Sequence, residues 1–253
     1  MSLSGLLVID KPAGMTSHDV VARLRKILKT RRIGHGGTLD PMATGLLIVG
    51  VGSGTKALQF ISAASKTYEA TICLGIATDT DDADGNVTTT VSASTVDDAH
   101  IESALAAMVG EISQVPSSVS AIKVDGKCAY DLVRSGADVE LKPRMVTISD
   151  IVVHEIRRSA ETISIDVTVT CSSGTYIRAI ARDLGVALGV GGHLTRLRRT
   201  HSSGFTLDDA RSLDDTGLAP IPLRQALARF LTEIVVTRDE GPKVLRSEEH
   251  TSE

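Results

Sequence analysis

A chain of 253 residues with 42% hydrophobic content can bury a sizeable core, which excludes disorder throughout and predicts one large domain, or a domain with an appendage. Its net charge of −4 argues against a nucleic-acid partner only if charge is spread evenly, because local density decides such contacts. With aromatics at 2% and no Trp, the core has to be aliphatic, and Tyr68, Tyr130 and Tyr176 become conspicuous.

In chain order, "LLVIDKPAG" predicts a buried strand ending in a Pro/Gly turn. Thr16 or Ser17 then caps a helix in which Val20, Val21, Leu24, Ile27 and Leu28 share one face, leaving Arg23, Arg25, Lys26 and Lys29 largely outside. "ATGLLIVGVG" resumes as a strand, and "KTYEATICLGI" is another, with the polar "ATDTDDADGN" as its turn. Thr95, followed by Asp97 and Asp98, opens a helix through about Met108 that Gly110 stops. Ile163, Ile165, Val167, Val169 and Cys171 alternate with polar residues, the period of a half-buried strand. From Tyr176 the spacing turns helical (Ile177, Ile180, Ala181, Leu184, Ala187, Leu188), which puts Tyr176 and Arg178 at a strand-to-helix corner. A last helix starts at Pro222 in "PLRQALARFLTE", and the polar tail after it is too short to fold alone. Strands and helices mix without regular β-α-β alternation, so the expected class is α+β around a largely antiparallel sheet.

Cys73, Cys128 and Cys171 lie far apart with no C-x-x-C spacing, and read as buried or free thiols in a reducing compartment. The start "MSLSGLLVIDKPAG" has a four-residue apolar run and no basic leader, so the expected localisation is cytoplasmic, with no membrane span there.

Two glycine- or acid-rich stretches fail their obvious tests. "VGVGSGTKA" has Thr55 where a Walker loop needs Gly before Lys56, and its glycines at 50, 52 and 54 do not fit G-x-G-x-x-G. "DTDDADG" has Ala83 at the fifth position of a calcium loop and Asp84 where Gly is required. It reads as an acidic turn.

"RIGHGGTLDPMATG", residues 32 to 45, differs because its oddities agree. Gly34, Gly36 and Gly37 permit close backbone approaches, and Pro41 forces Asp40 toward an extended conformation that fixes its carboxylate's direction. A tight turn and a site fit those residues equally well. Basic residues bunch in "RLRKILKTRR" (23–32) and "RLRR" (196–199); each run alone reads as a solvated face.

"GHGGTLDPMATGLLIVGVGSGTK" closely resembles the catalytic motif of the bacterial TruB-type tRNA pseudouridine synthases, G-H-x-G-T-L-D-P-x-A-T-G-x-L. Further matches follow in family order: "LLVIDKPAGMTSHDVV", "KTYEATICLGIATDTDDADG", "VPSSVSAIKVDGKCAYDLVRSG" and "CSSGTYIRAIARDLGVALGVGGHLTRLRRT". The resemblance implies a pseudouridine synthase fold, a mixed and mainly antiparallel sheet flanked by helices. It implies an isomerase that turns uridine at tRNA position 55, in the T-loop, into pseudouridine, with no cofactor or metal. It also implies Asp40 as nucleophile and Arg178 as the cation that pairs with that carboxylate and aims it. Tyr68 would stack on the flipped uracil and take its C5 proton. His35 would insert against the displaced nucleotides, Tyr176 and Leu197 would line the pocket, and Lys11 would support it from below. The basic helix and "RLRR" would contact phosphates.

Three positions depart from the family pattern. Gly36 stands where Thr or Ala is common and adds flexibility beside His35; Ser117 stands where a second proline is frequent; Cys128 replaces a basic residue. The expected organisation is a catalytic domain over residues 1–236 and, over 237–253, a stub of a PUA-like RNA-binding domain or a disordered tail. A monomer is expected, with the T-arm of tRNA as partner.

Overall fold

A computed structural model describes residues 3–118, 123–124, 127–128 and 141–232. Tyr130, the side chain of Cys128 and the tail from 237 to 253 lie outside the described residues.

The elements run β1 (Gly5–Lys11), α1 (Ser17–Ile27), β2 (Ile33–His35), β3 (Thr44–Val51), a 3-10 turn (Gly52–Ala57), α2 (Leu58–Ala63), β4 (Lys66–Leu74), β5 (Ile76–Thr78) and β6 (Val87–Thr90). There follow α3 (Asp98–Ala106), β7 (Gly110–Gln114), β8 (Lys123–Val124), β9 (Lys127–Cys128), β10 (Arg144–Arg158), β11 (Ile163–Cys171), α4 (Ile177–Ala187), β12 (Gly192–Ser202), β13 (Phe205–Thr206), a 3-10 turn (Leu207–Asp209) and α5 (Leu223–Leu227). One sheet in the order β1-β3-β12-β4-β11-β10-β7 dominates, with β2 on β3 and β13 on β12. Its pairings are antiparallel except β12 with β3, which run parallel over two residue pairs, Arg198 with Thr44 and Arg199 with Gly45. This is the mixed, mainly antiparallel sheet that the sequence predicts.

The unbroken runs "LLVI" and "LLIV" follow from burial on both sides of the sheet. Leu6, Val8, Leu46 and Ile48 pack with Ile61 of α2, Phe205 and Ala226. Their neighbours Leu7, Ile9, Leu47 and Val49 join a larger cluster with Val20, Val21 and Leu24 of α1 and Ile180 and Leu184 of α4. Thr16 caps α1 through a reciprocal capping box with Asp19. Ile27, expected on the inner face of that helix, is exposed, and Leu28 packs against the core.

Two further elements depart from expectation. The helix at Pro222 closes after Leu227. The 15-residue β10 carries register shifts between Ile148 and Asp150 and between Val153 and Glu155; each bulge slips the inside-outside alternation, so its sequence lacks a steady period of two. Among the described residues, no helix is long and apolar enough to cross a membrane.

Candidate active site

β2 and β3 pair from Ile33 to His35 against Val51 to Val49, so the chain between them must turn back at once, and residues 36–43 form that loop. Gly37 sits at φ +105, where a side chain is strained. A Cβ at Gly36, the position expected to add flexibility beside His35, would lie 2.7 Å from Cγ2 of Ile61, so in this chain the glycine makes room for α2.

The loop is tied down from beneath. The Ser17 hydroxyl donates to the Leu39 carbonyl at 3.2 Å and accepts from the Leu39 N–H at 2.9 Å. The Lys11 ammonium, wholly buried, donates to the carbonyls of Met15 (2.7 Å), Pro12 (2.9 Å) and Pro41 (3.3 Å). Burial lowers its pKa to about 8, against the opposing pull of Asp40. Lys11 thus joins the turn after β1 to Pro41, the residue following Asp40.

Arg178 reaches that loop from α4. Its Nε donates to Asp40 Oδ2 at 3.0 Å and its Nη2 to Asp40 Oδ1 at 3.3 Å, a two-pronged contact that fixes the plane of the carboxylate. Nη1 donates to the Thr80 carbonyl at 2.7 Å and lies 3.3 Å from Asp82 Oδ2. The Arg178 side chain is 3% exposed and that of Asp40 32%, so the cation is buried behind a carboxylate that still meets solvent. Asp82 Oδ1 accepts from Thr80 Oγ1 at 2.6 Å and from the Asp84 N–H at 3.1 Å, which holds it ready for the guanidinium.

Gln114 fixes the start of α4. Its side chain, 2% exposed, accepts from the Tyr176 N–H at 2.8 Å and donates to the Tyr176 carbonyl at 3.1 Å. Gln114→Leu removes both bonds two residues from Arg178. It should cost about 2 kcal/mol of stability, read from urea denaturation, and lower turnover in the same preparation.

Asp40 and Arg178 share the wall of a cavity of about 430 Å³ with Tyr68, Tyr176, Leu197, Lys66 and Arg199. That volume lies in the range of small-ligand sites. Tyr68 is buried, which pushes its phenol pKa up, while the nearby Arg199 charge opposes the shift. Of the expected site residues, Asp40, Tyr68, Tyr176, Arg178 and Leu197 meet here, Lys11 lies behind the loop, and His35 stands outside the lining.

His35 is half-buried on β2, its ring edge-on to His18 with centroids 5.1 Å apart, and its Nδ1 is buried without a hydrogen-bond partner among the described residues. Burial, then the neighbouring His18 and Arg199, lower its pKa from 6.5 to about 4. Between those values the unfolded chain binds more protons than the folded one, so stability falls as pH drops from 6.5 toward 4. Urea midpoints measured across that range should slope less for His35→Gln than for the wild type.

"RLRR" divides differently from expectation. On β12 Arg196 pairs with Glu69 at 2.9 Å and Arg198 with Asp10 at 2.7 Å, whereas Arg199 is buried and donates to the carbonyls of Leu46 (2.7 Å) and Gly37 (3.2 Å). The strand's period of two puts Leu197 and Arg199 on one face, a signal that was available in the sequence. On the α1 face, Arg23 pairs with Asp214 and Arg25 donates to the Ile33 carbonyl at 3.0 Å. Asp82 and Gln114 carried no comparable sequence signal.

The chain matches the family model described as TruB family pseudouridylate synthase (N terminal domain) over residues 25–177, and that of the tRNA pseudouridylate synthase B C-terminal domain over 178–234. It is 55% identical over 241 residues to a tRNA pseudouridine synthase B of Corynebacterium aurimucosum, covering 94% of this chain and 81% of that protein. With the protein of the same name from Mycobacterium avium it shares 57% identity over 220 residues, 87% of this chain and 71% of the relative. Among solved structures it resembles a chain of a Cbf5-Nop10-Gar1 complex, with TM-score 0.63 and 32% identity, covering 83% of this chain and 53% of that one. A chain in an H/ACA RNP bound to a substrate RNA containing 2'-deoxyuridine matches with TM-score 0.61 and 32% identity, over 83% of this chain. The present chain spans about half the length of those two solved chains.

Proposed function

Because this chain belongs to the TruB family of pseudouridylate synthases, we propose that it isomerises the uridine at position 55 in the T-loop of tRNA to pseudouridine, with Asp40 as nucleophile. The observation that carries this reading is the two-pronged Arg178–Asp40 contact at the wall of a nucleoside-sized cavity that also holds Tyr68.

The reaction breaks the bond between uracil N1 and ribose C1′, turns the base and joins C5 to C1′; the C5 proton leaves and N1 gains one. Asp40, held by Arg178 with its carboxylate partly open to solvent, attacks C1′ or C6, or takes a ribose proton. Tyr68 stacks on the uracil and accepts the C5 proton. Tyr176 and Leu197 flank the base, Lys11 holds the loop under Asp40, and His35 enters the gap that the extruded nucleotide leaves. The enzyme acts as a monomer on the T-arm, which it reads by loop shape and extruded bases while the outer face of α1 meets phosphates.

Transcripts carrying tritium at uridine C5 test the reading. The wild-type chain should release one label per tRNA, and a transcript with cytidine at position 55 should release none. Undiminished release from the second transcript would overturn the assignment of position.

A further inference from the structure

Among the described residues, two cations in the cavity wall have no anion of their own. Lys66 is 6% exposed and Arg199 1%. The Lys66 ammonium donates to the carbonyls of Ser62 (3.0 Å) and Ala64 (2.5 Å); Arg199 donates to those of Leu46 and Gly37. No carboxylate among the described residues pairs with either. Burial, and then the nearby Arg199, lower the pKa of Lys66 to about 8.

Capping the end of α2 accounts for two of the three N–H groups of Lys66, and the bonds named leave donors over on Arg199 as well. A desolvated cation needs a full negative charge to offset its burial, which carbonyl dipoles supply only in part. Both residues border the cavity that holds Asp40, whose own charge is engaged by Arg178.

We infer that Lys66 and Arg199 form an anion subsite that takes a backbone phosphate next to the uridine entering the cavity. This rests on the proposed reading of that cavity as the site of a target uridine in tRNA. Uracil carbonyls and ribose hydroxyls are neutral and leave the pair uncompensated, whereas a phosphodiester brings one full charge and two free oxygens to an ammonium and a guanidinium. Arg144, exposed on the same cavity wall, extends the positive field toward solvent.

The test uses synthetic T-arm stem-loops with one uncharged methylphosphonate, placed 5′ of the target uridine, 3′ of it, or in the stem as a control. Fluorescence anisotropy at fixed salt reads their affinity for the full chain and for Lys66→Gln, with Arg199→Lys as second variant should Lys66→Gln unfold. The wild type should lose about tenfold in affinity for one of the two loop-modified RNAs. Lys66→Gln should bind unmodified RNA about tenfold more weakly and distinguish it from that same modified RNA by less than about twofold. The stem control should affect both proteins alike. Losses that multiply at both flanking phosphates, or a wild type indifferent to both, would overturn the subsite. Binding does not require turnover, so coupling without label release would sink the catalytic reading alone, and release without coupling the subsite alone.

Discussion

Asp40→Asn should abolish label release from C5-tritiated tRNA, by about 10⁴-fold or more in single-turnover rate, while tRNA affinity stays within about threefold of the wild type. Asparagine keeps the size of the side chain and one oxygen for Arg178, and the loop is anchored through Ser17, Lys11 and main-chain bonds that do not involve the carboxylate. What it removes is the charge and the carboxylate oxygen on which the proposed attack depends. The separation of rate from affinity identifies the residue's part: a structural aspartate would lower both together with the unfolding midpoint. Release from the variant equal to that from the wild type would exclude Asp40 as nucleophile.

The second large effect belongs to Arg178. Its guanidinium serves two carboxylates, Asp40 on the cavity side and Asp82 behind. Arg178→Ala leaves the Asp82 side chain, 7% exposed, as a buried charge without its cation, and should cost about 3–5 kcal/mol of stability. Turnover should fall by about 10³-fold, because the carboxylate of Asp40 loses both its charge partner and its orientation. Arg178→Lys separates the two: an ammonium restores a positive charge near Asp82 but cannot span both oxygens of Asp40. Urea denaturation should show most of the stability recovered, and label release should remain close to that of the alanine variant. A lysine variant with wild-type turnover would reduce Arg178 to a bulk electrostatic role.

The residues of this site were singled out by the resemblance to the TruB-type motifs, while local signals described only part of the backbone around them. Asp40 lies among glycines and a proline whose backbone constraints act over a few residues, and Tyr176 and Arg178 stand where an alternating pattern gives way to a helical one. Asp82 and Gln114 lacked such a signal. Asp82 lies in a polar turn that composition describes equally well as solvated, and its value comes from a guanidinium that approaches from 96 positions later in the numbering (178 − 82). Gln114 ends a five-residue strand, and nothing nearby marks its amide for the main chain of Tyr176. Arg199 is hidden for a related reason: a basic run suggests solvent, and only the strand geometry turns one of its members inward. β10 was missed because its two bulges break the periodicity that identifies strands.

The parallel pairing of β12 with β3 has a mechanical consequence. Two residue pairs are all that this ladder joins, and the Asp40 loop belongs to one plate of strands while Tyr68 and Arg178 ride on the other. Gly45 sits at that junction with φ +97, and a Cβ there would lie 2.3 Å from the carbonyl oxygen of Arg199. A single methyl group at Gly45 should therefore act as a wedge, moving Asp40 away from Tyr68 and Arg178 without touching any of the three.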